Sequence, residues 1–368
     1  MFDSFKRKLH YQIVLLKNKY DNLNKVSKLK HTRPLKNTHG SLIVSIKNFN
    51  NGRYGFQLIN YFSKAGYNIY FKDSFDFLIN LLNYDKMILD LPRLYIYDNK
   101  LTVHPNDIGL VLNTPVESMQ NLGLKKILRI NYDYFNDNLK SKNILYLPYY
   151  IHPIMNQYLE KINLDNIPKQ GNILFYGEAD AYYDKRLISG YFKMLSRPEV
   201  YKILDNSTLD IRRPKSYAEL LSMLKDGSMN YLYFIDSKLF RIPENKWLET
   251  LATFNFFVAT PGGVMPVCHN VIEAISVNTI PILQYPHFFK PHLEDNINCV
   301  VFKDEESLIM RIKKLNIDNV YLENYRTNLR EYYFYNIYPS AFKRKIESMQ
   351  QGIFTTLYNA EEISVSAI

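Results

Sequence analysis

Short apolar runs alternate with amphipathic segments along this chain, and the alternation occurs in two blocks. In the first block, residues 42–46 read as a strand, 56–65 as a helix and 68–71 as a second strand behind Gly66. Strand, helix, strand implies a parallel pair joined by a right-handed crossover. Residues 74–82 read as helix, 86–89 as strand, and 94–103, with Asp98-Asn99 in the middle, as a hairpin. Two further short strands are predicted at 126–130 and 143–147. The run Pro148-Tyr-Tyr-Ile-His-Pro153 breaks the pattern and is the expected crossing between two domains. The second block opens with a strand at 172–176 and continues with helices at 183–195, 216–224 and 244–253 and a strand at 231–236. A strand at 298–302 follows, then a helix capped by Asp304 and running through Leu315. Helices are predicted at 320–335 and 341–350, and the last ten residues are expected to fray. Alternation of this kind predicts an α/β protein with parallel sheets in two domains.

Residues 256–283 carry the densest signal. The run 256–260 is apolar with β-propensity, 261–266 is a Pro/Gly loop, 267–277 has helical periodicity and 279–283 is a second strand. The loop leaves the carboxyl end of one strand and feeds the amino end of a helix, which is where open α/β sheets bind ligands. Gly262 and Gly263 allow close backbone approach and positive φ. A helix start offers unpaired N–H groups and partial positive charge, which suits a phosphate or diphosphate. His269 and Glu273, four apart, share one helix face. A glutamate in the middle of an otherwise apolar helix fits two readings: it accepts hydrogen bonds from sugar or ribose hydroxyls, or it holds neighbouring backbone or a lysine.

Pro261-Gly262, then Glu273-Ala274, then the Ile280-Pro281-Ile282 strand resembles the donor segment of GT-B fold glycosyltransferases. The match is to the exostosin-like group and related bacterial surface-polysaccharide transferases, and it covers about thirty residues. Asn278 stands where that group has Gly, and Cys268-His269-Asn270 stands where exostosin-like members carry a Ser-Arg pair. The resemblance implies two Rossmann-like domains facing a cleft, with an acceptor domain at 40–150 and a nucleotide-sugar donor domain at 151–330. It implies C-terminal helices, 331–368, that return towards the first domain. The donor would be a nucleotide-diphosphate sugar, the acceptor a glycan or lipid-linked molecule, and no metal or other cofactor is implied. Pro261, Gly262, Gly263, His269, Asn270 and Glu273 then become donor-binding candidates, with Lys185 and Arg186 as the bases near the diphosphate. Arg53 and Tyr54, in the predicted loop 50–55, become acceptor-side candidates; Arg53 also fits a plain solvated loop. Asp73, Glu178 and His152 are candidates for the catalytic base. Two of these have a plainer reading as well: Glu178, like Asp180, as a helix-start carboxylate, and His152 as a histidine satisfied within the linker.

Composition narrows the class. The chain has 368 residues, enough for two domains, and 46% hydrophobic residues. Two cysteines, Cys268 and Cys299, do not make a disulfide framework, and a reducing cytoplasm fits. Zinc-ligand spacing is absent, and no Asp-x-Asp pair follows a predicted strand; Glu178-x-Asp180 is the nearest imitation. The spacing of 50–55 is not GxGxxG, which weighs against a nicotinamide oxidoreductase. The other rival is a non-catalytic glycan-binding relative of the same fold.

The formal charge is +10, and residues 1–36 hold ten Lys/Arg against two Asp/Glu, so +8 of it sits in that segment. A basic segment on a nearly neutral body speaks against a nucleic-acid-binding domain, whose basic surface belongs to the fold. Phe5, Leu9, Ile13, Leu16 and Tyr20 form a helical stripe over 5–20, with Lys6, Lys8 and Lys17 around it. Such a helix can lie on the anionic inner face of a membrane, or dock on its own protein. Residues 21–39, with Pro34, read as a linker.

Overall fold

The computed structural model describes residues 2–30, 40–47, 52–97, 102–136, 139, 143–180, 187–226, 230–315 and 319–366. The chain divides into two compact units, Met1–Leu147 with Pro339–Ser364, and Pro148–Tyr338 with Val365–Ile368. The first crossing therefore falls at the Pro148 break.

The first unit is built on strands β1 (Ser41–Ile46), β2 (Asn68–Phe71), β3 (Leu94–Ile96), β4 (Ile108–Leu112), β5 (Lys126–Asn131) and β6 (Ile144–Tyr146). The second is built on β7 (Gly171–Gly177), β8 (Ile211–Arg212), β9 (Leu232–Asp236), β10 (Phe254–Val258), β11 (Ile280–Leu283) and β12 (Val300–Val301). A last strand, β13 (Gly352–Leu357), returns to the first unit. All pairings in both sheets are parallel. Their continuous apolar runs follow from burial on both faces: every residue of β4 and β10 is buried.

The first sheet has the order β3-β2-β1-β4-β5-β13-β6. Without β13 this is the doubly wound order, with the direction of winding reversing between β1 and β4. The second sheet, β12-β11-β10-β7-β9-β8, reverses between β7 and β10. Ile43, Tyr70, Tyr95, Val111, Met119, Leu124 and Ile127 form one core cluster of the first unit. Two parallel α/β units are the architecture that the sequence pattern predicts.

Several local expectations change. Residues 86–89 belong to a 3-10 helix, Asn83–Asp90, that packs on the helix Gly52–Lys64. Helical spacing governs there: Asp85, Ile88 and Leu89 are buried together. The expected hairpin supplies only β3, which pairs parallel with β2; residues 98–101 lie outside the described residues. Strand β4 escapes the apolar pattern because Gly109 interrupts it, and a Cβ there would sit 3.2 Å from the Met119 side chain. The helix Gly52–Lys64 starts inside the expected loop 50–55. The described part of the tail packs rather than frays: Asn359 and Ala360 are fully buried.

The N-terminal helix spans Phe2–Lys30 and includes much of the expected linker. Asn22 explains why. It is buried, and its Nδ2 donates to the carbonyls of Ile79 at 3.2 Å and Leu81 at 2.8 Å. Val26 is buried beside it, and Lys25 pairs with Asp90. No helix among the described residues is long and apolar enough to cross a membrane.

Candidate functional site

The carboxyl ends of β7 and β10, where the second sheet reverses, carry the loops 178–180 and 259–268. The second loop is tightly folded. Gly262 N–H donates to the Pro266 carbonyl at 3.3 Å. A Cβ on Gly262 would lie 2.9 Å from the Met265 carbonyl oxygen, so close approach, rather than positive φ, requires the glycine. Tyr285, fully buried, donates its hydroxyl to the Thr260 carbonyl at 3.0 Å and fixes the exit of β10. The helix His269–Ser276 follows at once. Its N-cap, Cys268, makes no side-chain capping bond, and its first turn has no acidic residue. By contrast, Asp304 caps the helix Glu305–Lys314 through Ser307 N–H at 2.8 Å. The site helix therefore presents its positive dipole end without a side-chain cap, with Val271 N–H turned back to the Cys268 carbonyl at 3.2 Å.

Glu273 lies one turn into that helix and is 1% exposed. Its Oε2 accepts from Trp247 Nε1 at 2.7 Å and its Oε1 pairs with His269 Nδ1 at 2.9 Å. Burial pushes its carboxyl up. The His269 charge and hydrogen bond, the Trp247 bond and the His152 charge outweigh burial, so the net direction is down and the carboxylate is the favoured form. Its side chain is enclosed and serves two protein donors, a tryptophan and a histidine, in place of the backbone or lysine of the plainer reading. Trp247 is itself packed against Tyr176, with ring centroids 5.1 Å apart, and Phe257 at 6.0 Å. The His269 side chain, 29% exposed, is thus held at the helix start by a buried carboxylate. His152 reaches the same place: its ring lies 5.2 Å from that of His269, and its Nδ1 accepts from Ile154 N–H at 3.4 Å, capping the helix Pro153–Leu159.

Arg197 is the basic residue that sequence reasoning missed. It opens the helix Arg197–Asp205 behind Ser196, and its Nη2 lies 3.4 Å from the Pro261 carbonyl and 3.9 Å from Cys268 Sγ. Its sequence neighbourhood gives no hint of the glycine loop, which comes more than sixty residues later. Lys185 and Arg186 lie outside the described residues. Glu178 is half-buried on the loop after β7, two residues beyond Tyr176, and Asp180 pairs with Lys238 at 3.3 Å. Pro261 is buried, and Gly263 and Asn270 are half-buried at the loop and helix start.

Arg53 pairs with Glu361, and its Nη2 is 2.5 Å from the Tyr54 hydroxyl. Tyr54 is 1% exposed, a core residue set edge-on to Tyr358 with centroids 6.3 Å apart. Asp73, just past β2, has φ 51°, is 76% exposed and pairs with Lys72.

Among the described residues no group of three or more His, Cys, Asp or Glu makes a metal-binding set. A cavity of about 340 Å³ lies at the amino ends of β7 and β9, lined by Asn172, Asp210, Asn230 and Lys313 among others. That is the edge opposite the one where parallel sheets take ligands.

No protein-family model and no curated protein matches the chain. Solved structures do match it. HepE from Anabaena, in complex with UDP, is 9% identical; the match covers 83% of this chain and 98% of that one, at a TM-score of 0.42. A glycosyltransferase from Rickettsia africae is 10% identical over 84% of this chain and 97% of its own, also at 0.42. Sucrose-phosphate synthase from Thermosynechococcus elongatus is 12% identical over 83% and 97%, at 0.40. At this level of likeness, substrate and reaction have to come from the site.

Proposed function

We propose that the protein is a GT-B glycosyltransferase whose second unit binds a nucleoside-diphosphate sugar at the carboxyl edge of its sheet. One observation carries this reading. The glycine loop stands at the reversal point between β7 and β10, runs into a helix start without a side-chain cap, and has Arg197 and His269 at its two ends. Backbone N–H groups, a helix dipole and two basic side chains make a cradle for a diphosphate. The GT-B resemblance of Pro261-Gly262 and Glu273-Ala274 supports the same assignment.

In the reaction, an acceptor hydroxyl oxygen bonds to the anomeric carbon while the bond from that carbon to the diphosphate oxygen breaks. The leaving diphosphate gains negative charge, which the loop, Arg197 and His269 stabilise. The acceptor proton passes to a carboxylate or imidazole; Glu178 and His152 in the second unit and Asp73 in the first are the candidates. Glu273 acts through His269, holding the ring in place. The acceptor is a glycan or lipid-linked molecule of surface-polysaccharide or glycoconjugate synthesis, and the enzyme works in the cytoplasm without a metal.

The test is thermal unfolding against a panel of nucleoside-diphosphate sugars. A donor at a hundred times its dissociation constant adds about 2.7 kcal/mol of stability and raises Tm by several degrees. A panel that leaves Tm unchanged throughout sinks the assignment.

A further inference from the structure

The N-terminal helix Phe2–Lys30 carries two stripes with different fates. Leu15, Asn18, Asn22, Val26 and Leu29 step by three or four residues and form the buried or half-buried side. That side is fastened to the first unit through Asn22, through the Lys25–Asp90 pair, and through Lys86 Nζ donating to Asn18 Oδ1 at 2.7 Å. Ile13, Leu16, Tyr20 and Leu23 also step by three or four, and they are 55%, 67%, 66% and 41% exposed. At about 100° per residue the two stripes face widely different directions. Docking on its own protein therefore uses one face of the helix and leaves an apolar face outward. Scattered exposed apolar residues are ordinary, but an aligned row on one face marks an interaction surface.

We propose that this outward stripe seats the protein on an anionic lipid bilayer. Charge selects the partner. Lys17 and Lys19 flank the stripe on either side of the helix, and residues 2–30 hold eight Lys/Arg against two Asp. A second copy of this chain would bring the same excess of positive charge to the contact, whereas acidic headgroups complement it. Ile13, Leu16, Tyr20 and Leu23 enter the boundary between headgroups and acyl chains, and the lysines stay at headgroup level, the arrangement of an interfacial helix. Because the opposite face is fastened to the first unit, the bilayer holds that unit itself and not a flexible tail. This inference rests on the helix alone and stands or falls separately from the transferase reading.

The experiment is cosedimentation of the full chain with vesicles of phosphatidylcholine alone or mixed with phosphatidylglycerol. Wild type pellets with the mixed vesicles and not with phosphatidylcholine alone, and release follows added salt. Leu16→Ser/Tyr20→Ser abolishes pelleting. Lys17→Gln/Lys19→Gln lowers the partition coefficient roughly thirtyfold, at about 1 kcal/mol for each lysine. Both variants keep the wild-type Tm, since all four side chains are exposed. Equal binding to neutral vesicles, no binding to either, or full binding by the Leu16→Ser/Tyr20→Ser variant overturns the proposal. So does a wild-type dimer that this variant dissociates while vesicles have no effect.

Discussion

Where the first sheet reverses, between β1 and β4, the helix Gly52–Lys64 carries Arg53 in its first turn, and the guanidinium is paired with the Glu361 carboxylate. Tyr54 beside it is buried, and its carbonyl accepts the Tyr358 hydroxyl at 3.1 Å. Where the second sheet reverses, Arg197 instead meets a carbonyl oxygen and a thiol, and the adjoining helix starts without a carboxylate cap. The topology at the two corners is alike. At the first, an anion would have to compete with Glu361, which the returning C-terminal segment brings there. At the second, it would meet the helix dipole and Arg197, while the Glu273 carboxylate is buried and bonded to His269 and Trp247. A doubly wound reversal point is thus only a location; the side chains that the rest of the chain delivers decide whether a ligand has a place in it.

The largest test of that contrast is a matched pair of substitutions. Arg197→Met should weaken binding of the nucleoside-diphosphate sugar by about a hundredfold, as expected when hydrogen bonds from a charged donor are lost. Calorimetry on the pair checks this, because Arg53→Met should leave the same constant unchanged. Equal losses from both would erase the distinction between the corners.

Glu273→Gln should lower catalytic efficiency about tenfold and also destabilise the protein by roughly 1–3 kcal/mol, the cost of disturbing buried hydrogen bonds. The amide can accept from Trp247 or from His269 through its one oxygen, not from both. Chemical unfolding and steady-state rates on one preparation separate the two effects. An active, unstable variant would mean that Glu273 is purely a structural group. Trp247 is the chain's one tryptophan, so its emission should shift in this variant.

A smaller effect concerns a buried acid of the first unit. Burial pushes the Asp85 carboxyl up to about 7, and its Oδ1 has no hydrogen-bond partner among the described residues. The unfolded value is about 4. Between those values the folded state holds a proton that the unfolded chain has released, so stability falls as pH rises and the full cost is present above pH 7. Asp85→Asn should therefore raise stability at pH 8 and gain nothing near pH 4. Urea unfolding at both pH values measures it; a gain that does not depend on pH would contradict the burial argument. Smallest of all, Arg53→Met should cost less than about 1 kcal/mol, because its ion pair is partly exposed.

How legible each part was in the sequence follows the span of the interactions that fix it. The predicted strands at 256–260 and 279–283 and the helix at 267–277 are close to β10, β11 and His269–Ser276, because apolar runs, glycines and periodicity lie side by side there. The environment of Glu273 was not readable, since its decisive partner, Trp247, is 26 residues upstream on another helix. Arg197 was missed for the same reason. The strand β13 has apolar Ile353, Phe354 and Leu357 but was not predicted; its partners on either side, β5 and β6, lie more than two hundred residues upstream. Residues 86–89 show the converse error, where three apolar residues behind Lys86 carry too little periodicity to separate strand from helix.

The most direct measurement of the central claim uses Trp247 as a reporter built into the site. Its indole donates to Glu273, which holds His269 at the start of the loop helix. Titration of its fluorescence with nucleoside-diphosphate sugars should give a saturable change for at least one donor, and Arg197→Met should shift the midpoint about a hundredfold. A flat response across the panel, or a saturable one that Arg197→Met leaves in place, would contradict the assignment of the second unit's glycine loop as the donor site.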